Sequence, residues 1–472
     1  MQNVEQQISR SLVALLLRQV IAYSTIFFGN VLLSRWLSIE IYGIFSAAFA
    51  FQQTLLLFSD VGLGPALVQR IEEPTDSEVS SLFTIQFVLC SVLMIVVWML
   101  SPLIVQAAGL GNSGIYLVRA LALILPVIAF RSIPALLLER NLRFDIIAIA
   151  ETVSLVIYQI VIISLVWCGL GIESILWALA AKYTCDLVII LYFRPWVPHI
   201  SMNIGNALPY IRFGLSMQAV RFLAYVKDDL PVLVLLPWLG AASVGQWSWA
   251  ISYIGIPIYF NRLLNRIMFP AYSRSQHDTE KLGNLMNMAI WLNFAIGLPI
   301  LLILLLFESN IIPAIYNSSW LVATPIVNWL SLNMLSGFIV NPVFPVLYGT
   351  GKSTLALKIF SIWVLTTILG TIISFYVGQL VSLAIALSCS TLITMVILLI
   401  VIRPIVKVDL GQAVFSPLLS GFIAAIVGIT ANSLHTNWLI AILLTLTTYV
   451  IVIYIVSHGR IHSYASGVLI KT

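Results

Sequence analysis

The stretch AVRFLAYVKDDLP, residues 219–231, places Arg221, Lys227, Asp228 and Asp229 inside an otherwise apolar run. On a helix, Arg221, Tyr225 and Asp228 fall on one stripe by i+4 and i+3 spacing, with Lys227 and Asp229 at its flanks. Pro231 follows; it has no backbone N–H to donate and kinks such a helix. A guanidinium in this setting suits an anion, because charge-assisted pairs with arginine are strong and oriented. The adjacent aspartates supply an acidic counterpart. The bland alternative is an internally neutralised cluster that only fixes helix packing.

Other charges interrupt other apolar runs. Arg18 lies about two turns from the end of the first run; it either completes a cationic cavity or snorkels to headgroups. Lys182 and Asp186 form an i,i+4 pair that reads as mutual neutralisation within a lobe. Arg119 and Arg131 read as snorkelling residues near the two interfaces. Asp60 and Glu151 either brace loops or take part in ion coupling. Such groups cost roughly 2.5–3.5 kcal/mol each at mid-bilayer. They persist where they face a bundle interior or a wet cavity.

Several apparent motifs carry no chemistry. GTGKST at 349–354 resembles the end of a phosphate-binding loop, but Val346 stands where the pattern needs glycine and no strand precedes it. The five histidines form no HExxH pattern. The four cysteines have no CxxC spacing and read as packing residues. EEPTDSE at 72–78 reads as a solvated helix start capped by Ser or Asp. The sequence calls for no catalytic residue, metal or cofactor. Asp60, Asp186, Asp228 and Asp229 are the candidate acids for coupling to Na⁺ or H⁺.

The elements that position these charges are membrane helices. The chain is 61% hydrophobic and 9% charged, with mean hydropathy +1.05; soluble proteins carry about 25% charge. Continuous runs such as 93–100 and 300–307 favour helices over a barrel's alternating strands. Hydropathy and turn residues predict about fourteen spans. They lie near 12–33, 41–66, 80–105, 115–138, 146–167, 173–194, 208–236, 242–269, 283–307, 320–347, 354–377, 380–402, 414–432 and 437–457. The fold class is thus all-α and polytopic. The first run, broken by Arg18 and Gln19, reads as an uncleaved helix.

Sixteen Lys and Arg residues in loops and helix flanks, from Arg10 to Lys471, fall on one side, and only Arg35 on the other. The positive-inside rule then places both termini in the cytoplasm. That distribution also argues against nucleic acid as the partner of the +5 net charge. At an offset of 202, Trp36, Leu37, Gly43 and Ser46 fall on Trp238, Leu239, Gly245 and Ser248. The match points to a parallel duplication. It gives an N-lobe at 1–200, a C-lobe at 207–403, and two further helices with a tail at 410–472. Arg18 falls close to the repeat partner of Arg221.

DVGLGPALVQR at 60–70, LLLERNLRFDIIAIAE at 136–151, YIRFGLSM at 210–217, WLGAASVGQWSWA at 238–250 and RIMFPAYSR at 266–274 together resemble landmarks of one transporter group. It is the polysaccharide-transport (Wzx-type, colanic-acid-like) branch of the multidrug/oligosaccharidyl-lipid/polysaccharide (MOP) exporter superfamily. The resemblance implies a flippase. Its cargo would be undecaprenyl-pyrophosphate-linked oligosaccharide, moved across the bacterial inner membrane for O-antigen, capsule or exopolysaccharide assembly by alternating access. Membrane lipid and polysaccharide polymerase machinery are the implied partners. On that reading Arg18, Arg221 and Lys227 are the candidates for the pyrophosphate. Asn30, Gln52, Gln218, Trp247 and Tyr253 are the candidates to face the sugar. Two rivals stand beside it: a cation-coupled drug antiporter of the same superfamily, and a polysaccharide polymerase or ligase. The short, nearly uncharged outer loops argue against the enzyme.

Overall fold

The computed structural model describes residues 2–60, 62, 73–110, 113–201, 210, 214, 218, 221–434 and 436–469, with side chains from Arg18 to Ser457, Ser113 and Leu230 excepted. Most of the 60–70 and 210–217 stretches, including Arg70 and Arg212, lie outside the described residues. So do Lys471 and the side chains of Arg10 and Arg460.

The described elements are helical. In chain order they are α1 (Gln2–Trp36), α2 (Ile39–Ser59), α3 (Asp76–Ala107), α4 (Ser113–Ala122), α5 (Leu125–Arg140), α6 (Phe144–Trp167) and α7 (Glu173–Phe193). After these come α8 (Arg221–Ile254), α9 (Ile256–Arg274), α10 (Thr279–Leu306), α11 (Glu308–Ile315), a 3₁₀ turn (Ser318–Ala323) and α12 (Thr324–Gly349). The last four are α13 (Ser353–Val377), α14 (Leu380–Ile402), α15 (Leu410–Ser433) and α16 (Trp438–Leu469). Among the described residues, 12 helices are long and apolar enough to cross a membrane, and the protein is a polytopic membrane protein. The sequence places further spans on α1 and at 242–269, yet neither α1 nor α9 is among those 12. The α9 helix carries Arg262, Arg266 and Arg274, and its apolar content is low.

Local chemistry sets the helix ends. Ser38 caps α2 by accepting from the Ile41 N–H. Thr75 and Glu78 form a reciprocal capping box at α3, so the acidic 72–78 stretch is a helix start whose cap is Thr75 rather than Ser or Asp. Within α8 the break falls at Gly240, with φ 79° and ψ 173°, a backbone conformation that glycine adopts without steric cost. The GTGKST stretch is a turn between α12 and α13 with Gly351 at φ 73°.

Apolar side chains point outward along the helices. On α13, Leu365, Leu369, Ile373 and Tyr376 are all exposed, Tyr376 at 82%. Such rows are costly in water and natural against lipid. Cys90 is buried and Cys185 half-buried, while Cys168 and Cys389 are exposed, so the packing role expected for all four fails for the last two.

The chain divides into two compact units, Met1–Gly245 and Gln246–Thr472. In the first, α6 packs on α1 and α7, and α3 on α4 and α5. Leu82, Phe83 and Ile133 form one part of its core; Leu138, Ile146, Ala150 and Ile190 form another. In the second, α12 packs on α14, α10 on α15, and α15 on α16. Its interior holds Trp320, Trp249 and Tyr253 in a stack with centroid spacings of 5.1 Å. Small residues allow close helix approach there, as where Gly297 meets the ring of Phe338.

Candidate functional site

The first unit holds two cavities at opposite ends of the same helices. One, of about 830 Å³, lies at the C-terminal ends of α2 and α5 and is lined in part by Gln53, Asp60, Arg131, Glu139, Arg221 and Asp229. The other, of about 1260 Å³, lies at the opposite end, against the start of α2, the start of α7 and the Gly240 bend of α8, with Glu40 and Glu173 among its lining residues. Tyr225, which lines the smaller cavity, shares a 2.6 Å hydrogen bond with Thr54 that ties α8 to α2.

The end of α2 is pinned by side chains from elsewhere. Gln86 Nε2 donates to the Ser59 carbonyl, and Gln218 Nε2 donates to the Leu57 carbonyl at 2.5 Å. These are two of the terminal carbonyls a helix leaves unpaired. Asp60 caps this end. Its Oδ1 accepts from the Gly62 N–H at 2.7 Å, and its Oδ2 accepts from Arg221 Nη1 at 2.7 Å. The Arg221 side chain is 55% exposed, towards the cavity it lines.

Arg131 is the second cavity cation. Its Nε lies 2.9 Å from Asp186 Oδ2, and its Nη2 lies 3.8 Å from Glu151 Oε1. The other oxygen of Glu151 pairs with Arg18. A chain of alternating charge, Arg18–Glu151–Arg131–Asp186, therefore links α1, α6, α5 and α7. Lys182 stands apart from the Asp186 pair expected by spacing. Its ammonium sits over the rings of Tyr183 and Tyr158, at 5.2 and 5.8 Å.

The residues singled out from sequence thus separate into groups. Asp60, Gln218, Arg221 and Asp229 come together in one cavity. Asp229, one turn beyond Tyr225 and bonded through its N–H to the Tyr225 carbonyl, lines the cavity with Arg221 and Tyr225, whereas Asp228 does not. Asp228 pairs with its neighbour Lys227, and neither lines the described cavity. Arg18 and Asp186 are tied into the charge chain, outside that lining. Asn30 lies half-buried on α1, and Gln52 is fully buried on α2. Trp247 and Tyr253, each 1% exposed, belong to the second unit. Tyr253 donates to the Leu304 carbonyl at 2.8 Å.

Two cavity residues escaped the sequence reading. Arg131, expected to snorkel, points inward, and Glu139 lines the same space. The cavity expected to be cationic holds two guanidiniums and three carboxylates. It is a mixed-charge site in which an anion must compete with resident acids.

A family described as "Polysaccharide biosynthesis protein" matches residues 32–325, more than half of the 472-residue chain. The chain belongs to this family. Among its relatives is the lipopolysaccharide biosynthesis protein WzxC of Escherichia coli (strain K12), 26% identical over 64% of this chain and 61% of that protein. Another is the teichuronic acid biosynthesis protein TuaB of Bacillus subtilis (strain 168), 22% identical over 63% of this chain and 62% of that one. The chain spans less than two thirds of the length of these relatives.

The likeness of fold reaches further along the chain. A structure described as the lipid II flippase MurJ in an inward closed conformation has a TM-score of 0.75 at 16% identity, covering 96% of this chain and 99% of that one. A multidrug resistance MATE family transporter of the MOP superfamily, inward-facing, has a TM-score of 0.59 at 15% identity, covering 84% and 98%. This polysaccharide biosynthesis family member therefore has the MOP exporter fold.

Proposed function

We propose that the protein is a lipid-linked oligosaccharide flippase of the bacterial cytoplasmic membrane. It carries undecaprenyl-pyrophosphate-linked repeat units to the outer leaflet by alternating access, for polymerisation into a surface polysaccharide by partner machinery. The observation that carries this reading is the mixed-charge cavity built into the membrane helices of a polysaccharide biosynthesis family member. A pyrophosphate headgroup needs oriented guanidiniums away from bulk water. Arg131 and Arg221 line one space with the polar side chains of Gln53 and Gln218 beside them. An intramembrane charge is costly unless it serves a pathway or a partner.

On this reading the termini face the cytoplasm, following the loop cations, and residues 1–200 and 207–403 act as repeat-related lobes, with 410–472 appended. The cavity near the end of α2 then opens towards the cytoplasmic leaflet, where the cargo is made. The acid-rimmed cavity at the other end lies on the side of release. A diphosphate is repelled there by Glu40 and Glu173. The acids Asp60 and Asp229 remain the candidates for Na⁺ or H⁺ coupling.

The test is to delete the gene and measure which leaflet holds the lipid-linked oligosaccharide. Accumulation facing the cytoplasm, relieved by the wild-type chain, supports the flippase. Normal appearance on the outer face with failed polymerisation removes it and returns the polymerase or ligase.

A further inference from the structure

We propose that Asp60 is the resident counter-ion of Arg221, displaced by the substrate diphosphate and restored when it leaves, so that one carboxylate sets the balance between affinity and turnover. This rests on the flippase reading above.

The pair is arranged for exchange. Arg221 gives Asp60 a single donor atom, Nη1. Its Nε and Nη2 make no other protein hydrogen bond among the described residues, and its side chain is more than half exposed in the cavity. A guanidinium has five N–H donors in a rigid fork, so among the described residues most of the fork is open to an incoming anion. Asp60 cannot follow the guanidinium if it swings away. Its other oxygen is fixed by the Gly62 N–H. Gly62 itself sits at φ +72° with its backbone closed against the Gly214 carbonyl. The glutamine amides of Gln86 and Gln218 hold the helix end just before it. The anchored partner is the acid, and the mobile partner is the arginine.

Arg131 contrasts with this. Its carboxylates belong to a chain that also holds Arg18, and its side chain is only 27% exposed. Of the two cavity cations, Arg221 is the one built to change partners.

The consequence is a carrier that is neutralised at this position both loaded and empty. With substrate bound, the diphosphate occupies the fork. Once substrate leaves, Asp60 takes its place, and no bare guanidinium remains at membrane depth while the empty protein returns. The same acid competes with the substrate and weakens its binding. Removing its charge therefore strengthens binding and slows the cycle.

The full chain in lipid nanodiscs is titrated with inorganic pyrophosphate by calorimetry, and its turnover is measured in vesicles by the leaflet distribution of lipid-linked oligosaccharide. Asp60→Asn keeps an acceptor for Gly62. It is expected to bind pyrophosphate several-fold tighter than wild type while turning over several-fold more slowly. Asp60→Ser, which also retains an acceptor, serves as the second variant and is expected to shift both quantities in the same directions. Arg221→Ala is expected to lose pyrophosphate binding. If both Asp60 variants bind no tighter than wild type while Arg221→Ala has lost binding, the counter-ion role is overturned and the anion site stands. If Arg221→Ala binds as wild type does, the anion site fails, and the counter-ion role with it.

Discussion

Gly43 on α2 and Gly245 on α8 face each other backbone to backbone, each aimed at the carbonyl four residues before the other. A side chain on Gly43 would strike the Ala241 carbonyl, and one on Gly245 would strike the Ile39 carbonyl. Both pairs, 43 with 245 and 39 with 241, are separated by the same 202 residues that align the two tryptophan-containing segments. Reciprocal contacts of this kind are what a two-fold relation between like segments produces.

The geometry predicts that Gly43→Ala and Gly245→Ala each destabilise the protein. The obstacle is backbone rather than a flexible side chain, so the helices must separate, at an overpacking cost of about 1–3 kcal/mol. The double variant is expected to lose less than the sum of the singles, since either methyl already forces the same separation. Thermal unfolding of the purified variants in detergent checks both statements. Full additivity would mean that the two glycines do not share one contact.

Asp186 is predicted to matter more for stability than its neighbour Lys182. It is 9% exposed and holds Arg131 across helices. Asp186→Ala leaves that guanidinium with only the longer Glu151 pairing, and removal of one partner of a buried pair costs about 3 kcal/mol. Lys182→Met keeps an apolar stem against the tyrosine rings and loses a cation–π contact of about 1 kcal/mol with a longer-range attraction to Asp186. Comparing the midpoints of thermal unfolding decides the order.

The physical origin of these pairings explains how much was legible. Hydropathy revealed the membrane helices because lipid demands long apolar runs whatever their packing. Arg221 and Asp60 stood out because a charge in such a run is costly. Their pairing, across 161 positions, depends on tertiary packing that no local spacing encodes. The same limit misassigned Arg131: depth along a helix is readable, whereas the face it presents is set by neighbouring helices. The i,i+4 rule linked Lys182 to Asp186, but a guanidinium from α5 holds the acid instead. Tyr253 looked like a sugar platform because aromatic rings serve that role, yet its ring is stacked inside the second unit.

Glu308, between α10 and the 3₁₀ turn, gives a pH signature outside the membrane spans. Burial pushes its carboxyl above the ordinary 4.5, opposed by a hydrogen bond with Asn328. The folded chain therefore holds the proton more tightly than the unfolded one. The resulting stability is complete below about pH 4.5 and is lost as pH rises through the raised folded value. Glu308→Gln, which stays neutral, is expected to melt higher than wild type at pH 8. The difference should vanish towards pH 4. A gap that is constant with pH would show that ionisation of Glu308 plays no part.

Arg221→Ala separates function from folding. The Arg221–Asp60 pair is half exposed, at 55% and 37%, and exposed pairs contribute about 0–1 kcal/mol. Unfolding temperature and protein level should therefore stay near wild type. Transport should not, because the variant removes the cavity cation whose donors are less engaged among the described residues. A cell carrying only this variant is expected to accumulate lipid-linked oligosaccharide on the cytoplasmic face and to lack the polymer outside. Arg221→Lys keeps the charge but replaces a planar fork with a point charge, so it should restore only part of the activity. Full activity in Arg221→Ala would move the anion-binding role to Arg131. Loss of protein rather than of transport would make the pair a structural brace, the bland reading of the α8 cluster.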